Sequence, residues 1–493
     1  MSASEPDTQT RSQKVAASVA DEATYSSMPL LKSERVWKAT DFTWVNVSLA
    51  IATWAFLIGG STVLLVGFMD GIAAMLIGNS IGLSVMALGS VVLSQRLGVE
   101  QYRTLRSVFG GIGVVIVVFT IVLLVEAGWT SLLGVMFGRA IAQISNQAFG
   151  TDFAAGGPIV IAFALLALAA GWYLLSRGPV TISKLNRFVA PGLIVVVVIM
   201  MALLMSQHSF QELLEAPPIA PFDDDQLNFA IAIEFNIGAG LSWWPVMGTL
   251  ARLTRSPKSA LWPTYLGILL GTVVAQIVGM AAALLIGESD PTAWMVPVAG
   301  PILGVLTLLF VGFANVTSMA AIAYSTVLAL KQSSGRVLER FSWPVLCALF
   351  LALPAVLVFF PDFLYGQFQT FVIISGAFVA AICGVIIADY FLLRRQRIQL
   401  RALYASGTGA PFRFHGGLNI AAMIAIAASA TFYFWVYNPI TLETQPMFSW
   451  TTATVPAVVL AMLVYLLMSW VLNIRGNRGG YTAQDTFENA GTK

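Results

Sequence analysis

Two glycine-containing stretches, Gly59-Gly60-Ser61 and Gly238-Ala239-Gly240, decide the fold that this sequence predicts. Each lies near the middle of an apolar segment long enough to cross a bilayer, and the two segments lie five helices apart, as predicted helices 1 and 6. One such stretch alone would favour close helix packing, for which membrane helices use glycine freely. A pair at matching positions is typical of secondary transporters, in which two inverted repeats each contain a broken helix beside the binding site. The sequence therefore predicts that helices 1 and 6 are discontinuous and line a cavity, where unpaired backbone groups are tolerated.

The composition indicates a membrane protein. Of the 493 residues, 58% are hydrophobic and 10% are charged, and the mean hydropathy is +0.82, whereas a soluble domain has roughly 25% charged residues. The net charge of +2 gives no support for nucleic-acid binding. Cys347 and Cys383 lie in apolar runs, and His208 and His415 lie far apart in polar loops, so we expect neither a metal site of these residues nor a structural disulfide.

The predicted fold is an all-α polytopic membrane protein with twelve transmembrane helices. It contains a five-plus-five inverted repeat with discontinuous helices 1 and 6, followed by two accessory helices. The predicted spans are 43–66, 72–95, 107–137, 158–175, 187–206, 227–250, 262–286, 298–330, 342–360, 368–393, 418–437 and 452–472.

These spans divide the chain into seven regions. They are a cytoplasmic N-terminal tail (1–40), the first repeat (41–206), an extracytoplasmic loop (207–226), the second repeat (227–393), a cytoplasmic loop (394–417), the accessory helices (418–472) and a cytoplasmic C-terminal tail (473–493). Residues 1–40 lack the apolar core of a cleaved signal peptide.

Positive charge predicts the orientation, because Lys and Arg near helix ends are retained in the cytoplasm. Alternate loops are basic and contain Arg96, Arg103 and Arg106; Arg177, Lys184 and Arg187; Arg252, Arg255 and Lys258; Lys331, Arg336 and Arg340; and Arg394, Arg395, Arg397, Arg401 and Arg413. The other loops are acidic, with Arg139 as their one basic residue. We therefore expect a multi-pass protein of the plasma membrane (the bacterial inner membrane), with both termini in the cytoplasm.

The segment from Trp44 to Leu472 resembles the nucleobase-cation-symport family, which includes cytosine permeases and hydantoin, allantoin and vitamin-precursor transporters. The most specific stretch is Gly384-Val-Ile-Ile-Ala-Asp389-Tyr390-Phe-Leu-Leu-Arg394-Arg395 at the end of helix 10. Similar stretches are Gly78-Asn79-Ser-Ile-Gly82, Gly128-Trp129, and the helix 6 segment from Ser242-Trp243 to Arg255. The resemblance implies the leucine-transporter fold and transport driven by a cation.

The resemblance also implies a sodium site. Helix 8 contains Ala314-Asn-Val-Thr317-Ser318, which is similar to the pattern from which sodium-coupled relatives provide one carbonyl and two hydroxyls as ligands. Positions i, i+3 and i+4 share a helical face. Alignment on Gly59-Gly60 adds the carbonyls of Ala50 and Thr53. A Thr-Ser pair alone is more often a packing or back-bonding pair. Proton coupling stays open because Glu126 and Glu234 are carboxylates at membrane depth.

The solute pocket follows from the same resemblance. Trp129 and Trp243 match the aromatic pair that sandwiches a planar ring in the family, and Trp54 and Trp244 add further walls. Ser242 lies in the matching part of helix 6.

Two departures from the family bear on the substrate. Leu133 stands where many members have an amide, and Thr317-Ser318-Met319-Ala320-Ala321 stands where cytosine permeases resemble Thr-Thr-Asn-Asp-Asn. Without these amides the edge of cytosine would be left unpaired, at about 1 to 3 kcal/mol per group. The chain offers instead Glu126, on the same helical face as Trp129, and Glu234, one turn before the predicted break. Aromatic walls with a carboxylate suit a cation.

We therefore hypothesise an importer of a small nitrogen-rich solute, such as a nucleobase or a related heterocycle, coupled to Na⁺ or H⁺. The alternative is an importer of a cationic guanidine, amidine or amine that uses an aromatic cage with Glu126 and Glu234. A passive facilitator or channel is less favoured, and an enzyme would need a catalytic set that the sequence lacks. We expect no cofactor, and the partners expected are the solute and the lipid bilayer, with a monomer plausible.

Overall fold

The computed structural model describes residues 28–481 except 36, 177–178, 334–337 and 339. In this part of the chain the regular elements are helices, and the only β-structure consists of three isolated bridges. The all-α prediction is confirmed. Most of the predicted N-terminal tail and the end of the predicted C-terminal tail lie outside the described residues.

Twelve helical segments match the predicted spans, and we label them α1 to α12. They are α1 (Ala39–Ala50 and Thr53–Thr62), α2 (Phe68–Leu97), α3 (Arg106–Phe149), α4 (Pro158–Ser176), α5 (Pro179–Gln207), α6 (Asp225–Leu241 and Trp244–Ala251), α7 (Pro257–Ile286), α8 (Pro291–Ser333), α9 (Trp343–Leu357), α10 (Phe368–Leu393), α11 (Ile420–Val436) and α12 (Thr454–Ile474).

Not all of these segments meet the length and hydropathy expected of a full span. Seven described helices do, and α1 makes an eighth when its two halves count as one. The apolar parts of α5, α9 and α11 are shorter, at Pro191–Gln207, Trp343–Leu357 and Ile420–Val436. The number of twelve spans therefore stays a prediction.

Helix α1 is broken, but not at the glycines. Its halves meet at an angle of 63°, and the extended residues between them are Ile51 (φ −103°, ψ 102°) and Ala52 (φ −153°, ψ 177°). Gly59 and Gly60 lie inside the second half, where a Cβ would collide with the backbone of Gln276 and of Ser289, respectively. The predicted position of the break was wrong, because these glycines serve helix packing.

Helix α6 is interrupted at Ser242 and Trp243, just after the predicted Gly238-Ala239-Gly240. Their backbone angles, −59°/−15° and −77°/−14°, stay close to helical values. Gly238 approaches the Val372 carbonyl of α10. This discontinuity is thus a short turn, milder than the break of α1.

The same backbone irregularity occurs in α3 and α8, which correspond to each other in two five-helix repeats. Gly110 has φ 75° and ψ 176°, and Gly300 has φ 75° and ψ 174°. A helix cannot continue through these angles, and side chains disfavour them. Each glycine therefore separates a short leading helix from a long one, which supports the repeat. Both long elements exceed their predictions, since α3 runs to Phe149 and α8 begins at Pro291.

Arg139, the one basic residue predicted in the acidic loops, lies in the part of α3 that continues beyond the predicted end of the helix. Its guanidinium is 2.8 Å from the carboxylate of Asp290 and 3.3 Å from that of Asp362, and it stacks 3.6 Å from the ring centroid of Tyr365. The two acids compensate the charge at this end of the bundle.

Candidate solute and ion site

Four helices enclose one cavity at the level of the two interruptions. Its volume of about 50 Å³ is space for roughly three or four water molecules. The lining comes from α1, α3, α6 and α8 and consists of Leu49, Trp54, Glu126, Trp129, Leu133, Ala239, Ser242, Trp243, Val246, Ser318, Ala321 and Ile322. Seven residues that the sequence proposed for the solute or the ion are therefore brought together: Trp54, Glu126, Trp129, Leu133, Ser242, Trp243 and Ser318.

Three indole rings dominate the cavity wall. The ring of Trp54 lies 6.0 Å from that of Trp129 at an interplanar angle of 78°, and 5.4 Å from that of Trp243 at 68°. Both pairs are T-shaped, an arrangement that aromatic groups favour. In this conformation Trp54 therefore contacts both of the rings proposed to sandwich the solute.

Trp129 is held from behind by α10. Its ring makes edge contacts with Phe368 at 5.9 Å and with Phe371 at 5.6 Å. Gly128 allows the second contact, because a Cβ there would overlap the Phe371 ring. The indole Nε1 of Trp129 is buried without a hydrogen-bond partner among the described residues, so it is a free donor beside the cavity.

Glu126 is the acidic member of the cavity lining. It ends a π-helical turn, 122–126, in α3, and it is 2% exposed. Among the described residues its carboxylate accepts one long hydrogen bond, 3.4 Å, from Oγ1 of Thr326 in α8. A buried carboxyl with so few donors either is protonated or meets a cation.

Glu234, the other proposed carboxylate, does not reach the cavity. It accepts hydrogen bonds from the Tyr433 hydroxyl (2.6 Å), the Thr454 hydroxyl (2.6 Å) and the backbone amides of Ala453 (3.0 Å) and Thr454 (3.2 Å). These amides begin α12, where a carboxylate satisfies unpaired donors and complements the helix dipole. The assignment of Glu234 to the solute site is therefore corrected: in this structure it joins α6 to α11 and α12.

Two further sequence assignments are corrected. Trp244 is fully buried, donates through Nε1 to the Gly89 carbonyl of α2 at 3.2 Å, and packs against Tyr102. The Trp244 side chain points away from the cavity, because this residue comes one position after Trp243 and begins the second half of α6. Met319 packs beside Gly171 of α4, since it lies one residue past Ser318 on the helix and so on a different face.

The proposed sodium ligands lie where α1 meets α8. Ala50 ends the first half of α1 and Thr53 begins the second, on either side of the break. Nδ2 of Asn315 donates to Oγ1 of Thr53 at 2.8 Å, and this bond joins the two helices.

The hydroxyl and carbonyl oxygens proposed on α8 are close to each other as well. Oγ1 of Thr317 donates a hydrogen bond to the Ala314 carbonyl at 2.9 Å, a back-bonding contact typical of threonine inside a helix, and Ser318 lines the cavity. The described residues contain no group of three or more His, Cys, Asp or Glu side chains suited to a metal. An ion here would be held by neutral oxygens, which are suitable ligands for a hard cation.

A family model matches most of the chain. Residues 29–472 match the model described as "Permease for cytosine/purines, uracil, thiamine, allantoin". The chain belongs to this permease family. It is accordingly a transporter and not an enzyme, and the resemblance seen in the sequence is confirmed.

One curated relative is distantly similar to part of this permease. A hydantoin permease from Microbacterium maritypicum is 26% identical over 169 residues, which cover 34% of this chain and 33% of that protein. The matched region thus spans about a third of this curated relative's length.

Solved structures support the fold. The inward-facing conformation of Mhp1 has a TM-score of 0.77 at 20% identity and covers 90% of this permease and 93% of that chain. Mhp1 in a closed conformation with bromovinylhydantoin has a TM-score of 0.71 at 20% identity, covering 91% and 96%. A sodium-coupled sialic acid symporter has a TM-score of 0.58 at 11% identity, covering 92% and 95%. The leucine-transporter-like fold is confirmed.

Three contributors to the site of this permease were missed in the sequence: Phe368, Phe371 and Asn315. The two phenylalanines are spaced i, i+3 and therefore share a helical face, which was a readable signal of an aromatic wall. Asn315 stood inside the quoted Ala314-Asn-Val-Thr317-Ser318 motif, and an amide at membrane depth is itself a sign of an interhelical hydrogen bond.

Proposed function

We propose that this permease imports a small nitrogen-rich solute, a nucleobase or a related heterocycle, by symport with a cation. The observation that carries the proposal is the cavity in which Trp54, Trp129 and Trp243 converge beside the broken helix α1. Indole faces bind flat rings, and stacking on an aromatic side chain contributes about 1 to 3 kcal/mol per base. The family description and the hydantoin permease among its relatives agree with a heterocyclic solute.

Na⁺ is the proposed coupling ion. Carbonyls of Ala50, Thr53 and Ala314 with the hydroxyls of Thr317 and Ser318 supply five neutral oxygens, the ligand type that a hard monovalent cation prefers. Ser318 also lines the solute cavity, so an ion at this position would stabilise the same arrangement of α1 and α8 that the solute contacts. This shared element is a physical route for coupling.

A cationic solute is the second candidate, and the position of Glu126 favours it. The carboxylate lines the cavity with the three indoles and has a single long hydrogen bond among the described residues. A guanidine, amidine or amine would compensate its charge and stack on the rings. A neutral heterocycle would instead leave Glu126 protonated, as a hydrogen-bond donor or as the site of proton coupling.

Thermal stabilisation of the purified protein tests these candidates. Nucleobases, hydantoins, guanidines and amines are each added in Na⁺ and in choline, because a ligand at 100 times its Kd stabilises the native state by about 2.7 kcal/mol. We expect stabilisation by a heterocycle in Na⁺ and its loss in Trp129→Ala. Trp129→Phe should retain much of it, since a ring remains. Trp435→Ala is the matched control, because Trp435 is 56% exposed on α11.

Glu126→Gln separates the two solute classes. It keeps the shape of the side chain and removes the charge, so binding of a neutral heterocycle should stay within about threefold while binding of a cation should fall at least tenfold. Loss of pH dependence in this variant, without a need for Na⁺, would favour proton coupling. Unchanged heterocycle affinity in both Trp129 variants would refute the solute site.

A further inference from the structure

A second and larger cavity lies at the arginine-rich end of the bundle, between the start of α3 and the loop that precedes α11. Its volume is about 360 Å³. The lining includes Arg106, Arg413, Ser406 and Thr408, and no acidic residue of the described part of the chain belongs to it. This second cavity shares no lining residue with the cavity of Trp54, Trp129 and Trp243, which we call the tryptophan cavity.

Among the described residues, the charged side chains that line this cavity are all positive. The guanidinium of Arg106 is oriented by the carbonyls of Leu403 (2.9 Å) and Ala405 (3.3 Å), which are neutral partners. Arg413 is exposed at the rim. Burial and then the nearby charge of Arg478 lower the pKa of His415, the residue before the lining glycines. Two guanidiniums and two hydroxyls, with no carboxylate, suit a phosphate-bearing anion.

The loop that forms the cavity is fixed to α3. The amide of Ile112 donates to the Gly417 carbonyl at 2.8 Å, and the amide of Gly417 donates to the Arg413 carbonyl at 2.6 Å. Gly416 and Gly417 have φ of 67° and 112°, angles that side chains rarely adopt. The basic walls are therefore held in place by the backbone and do not depend on a ligand to form.

Apolar strips run from the mouth of the cavity along two helices. On α3 the side chains of Ile112, Ile116 and Phe119 are 52%, 45% and 39% exposed, and on α11 Ile420 and Ile424 are 38% and 40% exposed. Spacings of three and four residues put each set on one helical face. A soluble phosphate would not contact these apolar side chains, whereas the acyl chains of a lipid would lie along them.

We propose that this cavity binds the headgroup of an anionic phospholipid, whose acyl chains lie along the exposed faces of α3 and α11. Basic pockets between transmembrane helices are suited to such headgroups. The proposal concerns a site apart from the solute cavity and holds whichever solute is transported. A bound lipid here would connect α3, which carries Glu126 and Trp129, to the accessory helix α11.

Lipid titration of the purified full-length protein in neutral detergent tests this site. Phosphatidylglycerol, phosphatidylcholine and free glycerol phosphate are added separately, and thermal stability is followed with concentration. We expect saturable stabilisation by phosphatidylglycerol alone. Arg413→Ala should raise the half-saturating concentration about fivefold, the effect of one basic side chain near a membrane surface, and Arg413→Lys should largely restore it.

Arg401→Ala is the matched control, because it removes an exposed arginine that does not line the cavity from the same loop. Equal losses in Arg401→Ala and Arg413→Ala would mean general attraction to negative charge and would overturn the site. Stabilisation by glycerol phosphate at concentrations similar to those of the lipid would overturn the lipid assignment in favour of a soluble phosphate ligand.

Discussion

At the scale of single residues, two glutamates that look alike in the sequence have opposite surroundings. Glu234 receives four hydrogen bonds from Tyr433, Ala453 and Thr454, whereas Glu126 faces the solute cavity with one long bond from Thr326. Their partners come from helices about 200 positions away in the chain, which no local pattern reveals. The sequence therefore identifies both acids but cannot distinguish a structural one from a functional one.

Replacement of Glu234 should affect stability and leave solute binding intact. Glu234→Ala removes the acceptor for two hydroxyls and two amides, and buried hydrogen bonds to a charged group contribute about 1.5 to 3 kcal/mol each. We expect a loss of at least about 3 kcal/mol, measured as a large fall in the melting temperature of the purified protein. Solute affinity of the folded fraction should match wild type. A selective loss of transport at normal stability would return Glu234 to the transport mechanism.

At the scale of helices, the existence of a broken helix could be predicted but its position could not. The actual break at Ile51 and Ala52 contains neither glycine nor proline, so contacts with the surrounding helices must impose it. The glycines that suggested a break are sites of close approach between helices, with Gly59 against α7 and Gly238 against α10. Glycine permits both an irregular backbone and a close contact, and sequence alone does not separate the two.

This distinction predicts different results for two glycine substitutions. Gly59→Ala places a methyl group against the backbone of Gln276, and such overpacking costs about 1 to 3 kcal/mol. Gly366→Ala is the control, because a Cβ there meets nothing within 4 Å, and it should be neutral or slightly stabilising. Melting temperatures in the same detergent compare them. Similar melting temperatures for the two variants would contradict the packing role of Gly59.

Part of the lining of the tryptophan cavity could be predicted from the sequence. The family resemblance named Trp129 and Trp243 in advance, whereas Trp54 was named for its place beside the predicted break and Glu126 as a carboxylate at membrane depth. All four line one cavity. The aromatic support from Phe368 and Phe371 was missed: their i, i+3 spacing indicates a shared helical face, but it does not indicate that this face contacts Trp129. The side-chain directions of Trp244 and Met319 depend on one-residue offsets that alignment cannot resolve.

At the scale of the whole molecule, the last described residues are tied to the core of the bundle. Arg394 is fully buried, pairs with Asp389 at 2.6 Å and donates to the carbonyls of Ser107 (2.7 Å) and Gly479 (2.9 Å). The Tyr481 hydroxyl donates to Asp389 at 2.6 Å. This group, which we call the terminal clasp, joins the start of α3, the end of α10 and the segment after α12.

Tyr481→Phe measures the contribution of the terminal clasp. It removes one hydrogen bond to a buried carboxylate, so we expect a loss of about 1.5 to 3 kcal/mol, seen as a lower melting temperature and as earlier proteolysis of the C-terminal segment. Tyr365→Phe is a matched control, because the Tyr365 hydroxyl is buried without a hydrogen-bond partner in the described part of the chain. A larger effect at Tyr365 than at Tyr481 would contradict a role for the clasp.

The small volume of the tryptophan cavity has a kinetic consequence. The cavity holds about 50 Å³, and Trp54 is in edge contact with both Trp129 and Trp243. We therefore expect a solute to stack on these rings after Trp54 turns aside or α1 shifts, so that its apparent association rate is reduced to the fraction of molecules already open. At high solute concentration the observed binding rate should level off at the rate of that opening, so a change at Trp54 would alter the speed of capture as well as its strength.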